Sequence, residues 1–259
     1  LTPIEALAVT AEFTLDYSAI ERAAARIAPY AQRTPVLQSH SINAVAGAEL
    51  LFKCENFQRV GAFKFRGACN AVWSLPEAVA AHGVVTHSSG NHGAALALAA
   101  RTRGIPAHVI VPDGANRAKL AAIEAQGAVL HRCAPNLRAR EEAAECVQNE
   151  TGANLIHPYT HPEVIAGQGT AARELFHEGA ALDAVLAPIG GGGLICGTAI
   201  VSRALSPNTR VYAIEPEGAS DAFDSIRWGR RIEEFAPNTI CDGLRALVGE
   251  FNFSMLRRH

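Results

Sequence analysis

An alternation dominates this sequence. Five short runs with strand-like composition, G-V-V-T-H at 83–87, A-H-V-I-V-P at 107–112, A-V-L-H-R at 128–132, A-V-L-A-P at 184–188 and R-V-Y-A-I at 210–214, lie between alanine-rich stretches. The stretches carry helical periodicity at about 18–30, 91–103, 115–126, 138–150, 162–178 and 193–205. Strands that alternate with helices pair in parallel, because a parallel partner is reached only through a long crossover. The pattern therefore predicts an α/β protein with mostly parallel sheets. Ligands in such folds gather beyond the carboxyl ends of the strands. Three turns fall there: Ser88, Ser89, Gly90, Asn91 and His92; Gly190 to Gly193; and Glu215.

The 259 residues suffice for one large domain or two modest ones. A net charge of -2 and the lack of a basic run argue against nucleic acid or an anionic membrane as partner. Residues 184–201 are almost wholly apolar, but four glycines interrupt them, so they read as strand, loop and buried helix rather than a membrane span. Six scattered cysteines without a C-x-x-C pair suggest reduced thiols and a cytoplasmic address. The sequence begins at Leu1, so its amino terminus is expected to be processed, trimmed or not represented.

Lysine is scarce: Lys53, Lys64 and Lys119 stand against twenty arginines. One of the three, Lys64, sits between Phe63 and Phe65 in V-G-A-F-K-F-R-G-A. An amine that can lose its proton does what arginine cannot. Burial would lower its pKa and free it as nucleophile or base, although a snorkelling lysine with a buried stem has the same sequence signature.

The loop G-G-G-G-L at 190–194 leaves backbone N–H groups uncovered at a helix start, a combination that binds phosphate. A tight turn alone needs one glycine. The Walker pattern fails because no Gly-Lys occurs, and the dinucleotide pattern fails because its third glycine would fall on Ile195 or Cys196. Glu215, about twenty residues on, keeps a nicotinamide-dependent reading open. S-S-G-N-H-G at 88–93 opens a helix with hydroxyls, an amide and free N–H groups, which suits a carboxylate. A reactive amine, a phosphate cradle and a carboxylate turn together specify pyridoxal phosphate meeting an amino acid.

F-K-F-R-G-A, S-S-G-N-H-G, I-A-G-Q-G-T (165–170) and the tetraglycine loop occur in an order that resembles the serine racemase and serine/threonine dehydratase family. That family has the tryptophan synthase β-like fold: two open, mostly parallel twisted sheets flanked by helices. The resemblance implies a discontinuous large domain from 1–80 and 161–259, with 81–160 as a small domain over the cleft. It implies that Lys64 binds the cofactor covalently and then takes the Cα proton. Gly190, Gly191, Gly192 and Gly193 would grip the phosphate, Asn91 the ring hydroxyl, and Phe63 would pack near the ring. Ser88, Ser89, Asn91 and His92 would seat the substrate, with Ser89 as a second acid/base. Glu215, Ala219 and Asp221 match the family's Mg²⁺ or Ca²⁺ site.

The implied reaction is β-elimination from a β-hydroxy amino acid such as threonine or serine, giving a 2-keto acid and ammonia. Racemisation on the same scaffold uses the same residues. A homodimer or homotetramer is implied as well. Two departures stand out. Ala62 replaces the family's usual Ser or Thr before Phe-Lys. Relatives also continue past the position of His259 through a turn facing the pyridine nitrogen, so a carboxyl-terminal segment is expected to be missing here. A catalytically silent binding protein is the alternative if the chain does end at His259.

Overall fold

The computed structural model describes residues 15–179 and 181–258. Leu1 and His259, the outer bounds of the expected large domain, lie outside the described residues. Helix α1 (Tyr17–Ile27) is capped by Asp16, whose side chain accepts from the Ala19 N–H. Strand β1 (Val36–Leu37) pairs antiparallel with β2 (Phe52–Lys53), and α2 (His40–Ala46) lies between them in sequence. After α3 (Lys64–Ser74) and the single turn α4 (Glu77–Ala80) the alternation begins. It runs β3 (Val84–Thr86), α5 (Asn91–Arg103), β4 (Ala107–Pro112), α6 (Arg117–Glu124), β5 (Val129–Cys133), α7 (Leu137–Thr151) and β6 (Asn154–Leu155). Then come α8 (Pro162–His177), β7 (Ala184–Pro188), α9 (Gly193–Leu205), β8 (Arg210–Ile214), α10 (Asp221–Trp228) and α11 (Glu250–Leu256).

All six expected helices and all five expected β runs are present, their ends moved by a few residues. The first sheet has the order β5-β4-β3-β6 with every neighbour parallel, and β7 pairs with β8 in parallel. Strand β3 is buried at each position, as a parallel strand covered on both faces should be. From β3 the chain builds outward through β4 and β5, then returns to place β6 on β3's other side. The connections therefore diverge between β3 and β6, and a crevice opens beyond their carboxyl ends.

Helices α3, α8 and α9 pack backbone to backbone. A Cβ on Gly167 would lie 2.6 Å from the Arg66 carbonyl oxygen and from the Gly67 Cα, and one on Gly197 would lie 2.6 Å from the Gly169 nitrogen. The glycines of I-A-G-Q-G-T are thus contact points between helices, the first against α3 and the second against α9. Helix α3 is buried continuously from Phe65 to Val72, with Phe65, Val72, Ala95, Leu96 and Ile156 in one apolar cluster between α3, α5 and the end of β6.

Arg66 is fully buried in that helix and forks onto two carboxylates. Its Nε and Nη2 donate to Glu55 at 2.8 Å each, and Nη1 and Nη2 donate to Glu174 at 2.6 and 2.8 Å. Lys53 also reaches Glu174 at 2.6 Å. A buried guanidinium is tolerable only with such complete pairing. The network ties α3 to α8 and to the segment before it, two residues from Lys64.

Candidate active site

Lys64 is the first residue of α3. The chain reaches it through Val60, which adopts the left-handed region at φ 58°, and Gly61 at φ 68°. A β-branched residue is rare there. Its side chain packs against the α3–α5 cluster, which holds the turn in place. The Lys64 Nζ donates to the Pro158 carbonyl at 3.0 Å and lies 5.4 Å from the Phe63 ring centre. Pro158 follows β6, so the amine meets the crevice beside β3. Partial exposure through the cleft does not offset the surrounding protein: burial lowers the Lys64 pKa from 10.5 to about 8.

His92 and His157 stand near this amine, and His87 and His161 stand near His157. Burial is the leading cause that lowers each of their pKa values, and His157 falls to about 3. The positive charge of Lys64 pushes His92 and His157 down further. The His157 Nδ1 accepts from the Tyr159 and Thr160 N–H groups at 3.4 and 3.2 Å, so it carries no proton and its ring braces the turn 157–160. His92 is buried and its Nε2 lies 3.4 Å from the Ile156 carbonyl, which requires Nε2 to be the donor; its Nδ1 is buried without a partner. The His92 side chain thus anchors the same turn from α5.

The turn touches the tetraglycine loop. The place of a Gly191 Cβ lies 2.2 to 2.5 Å from the Tyr159 ring, that of Gly192 lies 2.9 Å from the Asn252 Cβ, and that of Gly193 lies 3.2 Å from the Tyr159 carbonyl oxygen. Gly191 and Gly192 are therefore required by protein packing as well as by any anion, and Gly193 is tightly packed. Helix α9 begins here with no side-chain cap. Among the described residues, the N–H groups of Gly190 to Leu194 donate to no acceptor, nor do those of Asn91, His92 and Gly93 at the start of α5. Two uncapped helix starts, one after β3 and one after β7, with a lysine of lowered pKa between them, fit a cofactor with an aldehyde and a phosphate. Ser88 and Ser89 are half-buried, and Asn91 is exposed.

The remaining expected residues lie at the end of β8. Glu215 accepts the Phe223 N–H at 2.7 Å, and Asp221 accepts the Val248 N–H at 2.8 Å. Burial raises both pKa values, and the charge of Asp221 raises Glu215 further. Ala219 is buried nearby in sequence. Two carboxylates and a carbonyl fit a hard cation, although no group of three acidic, histidine or cysteine side chains with that capacity occurs among the described residues.

Sequence reasoning missed Asn252, His87 and Arg140. No motif contains Asn252. His87 directly precedes S-S-G-N-H-G, and in the sequence it ends the β run 83–87. Arg140 sits on α7; its charge reaches His87 and Tyr159, and its Nε is buried without an acceptor. All six cysteines are free thiols. Among the described residues, no helix is long and apolar enough to cross a membrane.

The profile of pyridoxal-phosphate dependent enzymes matches residues 27–259. The chain is 49% identical over 234 residues to the β-hydroxyaspartate dehydratase of Paracoccus denitrificans, covering 90% of this chain and 74% of the relative. It is 48% identical over 246 residues to the serine racemase of Arabidopsis thaliana, covering 95% and 74%. The structure of maize serine racemase superposes with a TM-score of 0.92 at 46% identity, covering 93% of this chain and 74% of that one.

Proposed function

The chain belongs to the pyridoxal-phosphate dependent enzyme family, and we propose that it eliminates water from a β-hydroxy amino acid to give an enamine, whose hydrolysis takes a water back and releases ammonia and a 2-keto acid. When bound, the cofactor supplies a carbonyl for covalent attachment of amines and a ring that accepts the electron pair left at Cα. The observation that carries this reading is Lys64: an amine with its pKa brought down to about 8, at the crevice between β3 and β6, next to a turn that packs on the tetraglycine loop. About half of such amines are neutral at pH 8, ready to attack a carbonyl or accept a Cα proton. Once protonated, the ammonium keeps the Pro158 carbonyl as its partner.

The other roles follow from where free donors lie. The unpaired N–H groups of Gly190 to Gly193 hold the phosphate, with the dipole of α9 behind them. Asn91 binds the ring hydroxyl, and Phe63, beside Lys64, flanks the ring. The N–H groups at the start of α5, with Ser88 and Ser89, seat the substrate carboxylate. His92 contributes through its backbone, since its ring is committed to Ile156. The positive charge of Arg140, which reaches His87 and Tyr159, favours a substrate with a second carboxylate, 3-hydroxyaspartate ahead of serine or threonine. Racemisation is the second reading: the Ser89 hydroxyl makes no hydrogen bond among the described residues, which leaves it available to return a proton to Cα.

Glu215, Asp221 and the Ala219 carbonyl are proposed to hold Mg²⁺ or Ca²⁺, supported by two carboxylates whose pKa values burial raises. The division into 81–160 and the remainder is proposed because every strand of the four-stranded sheet falls between 84 and 155. A homodimer or homotetramer and a cytoplasmic address complete the proposal, the latter supported by six free thiols. Lys64→Ala tests the core of it. The variant should lose the visible absorbance of bound cofactor and the production of keto acid from serine, threonine and 3-hydroxyaspartate; full turnover would refute the assignment.

A further inference from the structure

Asn252 lies on α11, a part of the chain that no motif marks, and it is fully buried. Its Nδ2 donates to the Gly191 carbonyl at 2.6 Å and to the Tyr159 carbonyl at 2.9 Å. Both partners only accept, so the orientation of the amide is determined: nitrogen toward the two carbonyls, oxygen away. That oxygen is buried without a partner. One side chain thus joins the tetraglycine loop to the turn that carries Pro158, the partner of Lys64.

The geometry points to Asn252 as a positioning residue that aims the phosphate-binding N–H groups. In a trans peptide the carbonyl and the following N–H point in opposite directions. The Gly191 carbonyl is drawn toward α11 by two donors, Asn252 Nδ2 and the Gly249 N–H at 3.1 Å. The Gly192 N–H, in the same peptide unit, is thereby turned away from α11. Gly192 itself sits at φ 97°, a conformation that leaves successive N–H groups free to converge on an anion. Its missing side chain makes room for the Asn252 Cβ. Asn252 and the glycine loop therefore form one unit in which the side chain holds the rear and the N–H groups face the ligand.

This inference rests on the pyridoxal-phosphate reading of the loop, and the test separates the two. Asn252→Leu keeps the number and branching of the heavy atoms and removes both hydrogen bonds. Dissociation constants for pyridoxal 5'-phosphate and for pyridoxal, which lacks the phosphate, are measured on the purified cofactor-free chain, with inorganic phosphate as a third probe. Expected is a loss of about 10-fold or more for pyridoxal phosphate and for phosphate, with pyridoxal changed by less than about twofold. Equal loss for pyridoxal phosphate and pyridoxal, or no loss for either, overturns the role of Asn252. If the wild type does not distinguish pyridoxal phosphate from pyridoxal, the reading of the loop itself fails. Asn252→Thr, which can keep one donor, is the second variant should the leucine chain not fold, and an intermediate loss is expected. Two variants that both fail to fold assign Asn252 to the core and overturn the proposal.

Discussion

The protonation of Lys64 lends itself to direct measurement. Burial alone takes its pKa from 10.5 to about 8. At pH 8 about half of the Lys64 amines are neutral, against about 0.3% of ordinary lysines, an enrichment of about 150-fold. The same shift costs the cofactor-free native state about 3 kcal/mol at neutral pH, because the charged amine is better solvated in the unfolded chain. The sign follows from proton counting. Between about pH 8 and 10.5 the unfolded chain binds more protons at this site than the native one, so its contribution to stability rises with pH across that window. Below pH 8 the penalty is complete. The chain has three lysines, so 13Cε-lysine labelling gives three signals, and Lys64→Met identifies one of them. That signal should titrate near pH 8 in the cofactor-free protein, and the variant should lose the stability gain between pH 8 and 10.5. A Lys64 signal that titrates above about pH 10 would refute the argument, and with it the supply of neutral amine on which the chemistry depends.

Four further outcomes follow from the structure. Glu174→Gln leaves Arg66 and Lys53 without a shared partner and should lower stability by about 3 kcal/mol in denaturant melts. Burial raises the Glu174 pKa, but hydrogen bonds from Arg66 and Lys53 outweigh it and hold the carboxyl below its ordinary value. Its contribution is therefore present above the unfolded pKa and lost in acid, and the gap between wild type and variant should narrow there. Gly191→Ala must displace the Tyr159 ring and should cost about 1 to 3 kcal/mol, part of it recovered with Tyr159→Ala; strictly additive effects would show that the two do not touch. Arg140→Gln should raise KM for 3-hydroxyaspartate at least tenfold more than KM for serine, and equal changes would remove Arg140 from substrate recognition. Millimolar Ca²⁺ or Mg²⁺ should raise the melting temperature of the wild type but not of Asp221→Asn; the same rise in both would place the cation elsewhere.

Much of the architecture could be read from one dimension. Strands β3, β4, β5, β7 and β8 and the long helices announce themselves because alanine periodicity and strand-like runs are local signals, written within a single element. Helix α3 is not legible in the sequence, for a physical reason. Its buried run from Phe65 to Val72 includes Arg66 and Asn70, whose polar groups find partners only on other elements, so the local pattern does not mark a buried helix. The lysine it begins with was found through chemistry and scarcity instead. The two-residue strands β1, β2 and β6 are too short to carry any pattern.

From the sequence alone came the alternating layers, the glycine loop, the serine-rich helix start and the singular lysine, because each depends on neighbours along the chain. Tertiary structure alone decided that Pro158 meets Lys64 across 94 positions, that Arg66 is neutralised by Glu174 across 108, and that Asn252 holds Gly191 across 61. Such partners share no local spacing. They are brought together only when parallel strands and glycine-spaced helices close on one another, and the free energy that selects them is that of burying polar groups with their hydrogen bonds made.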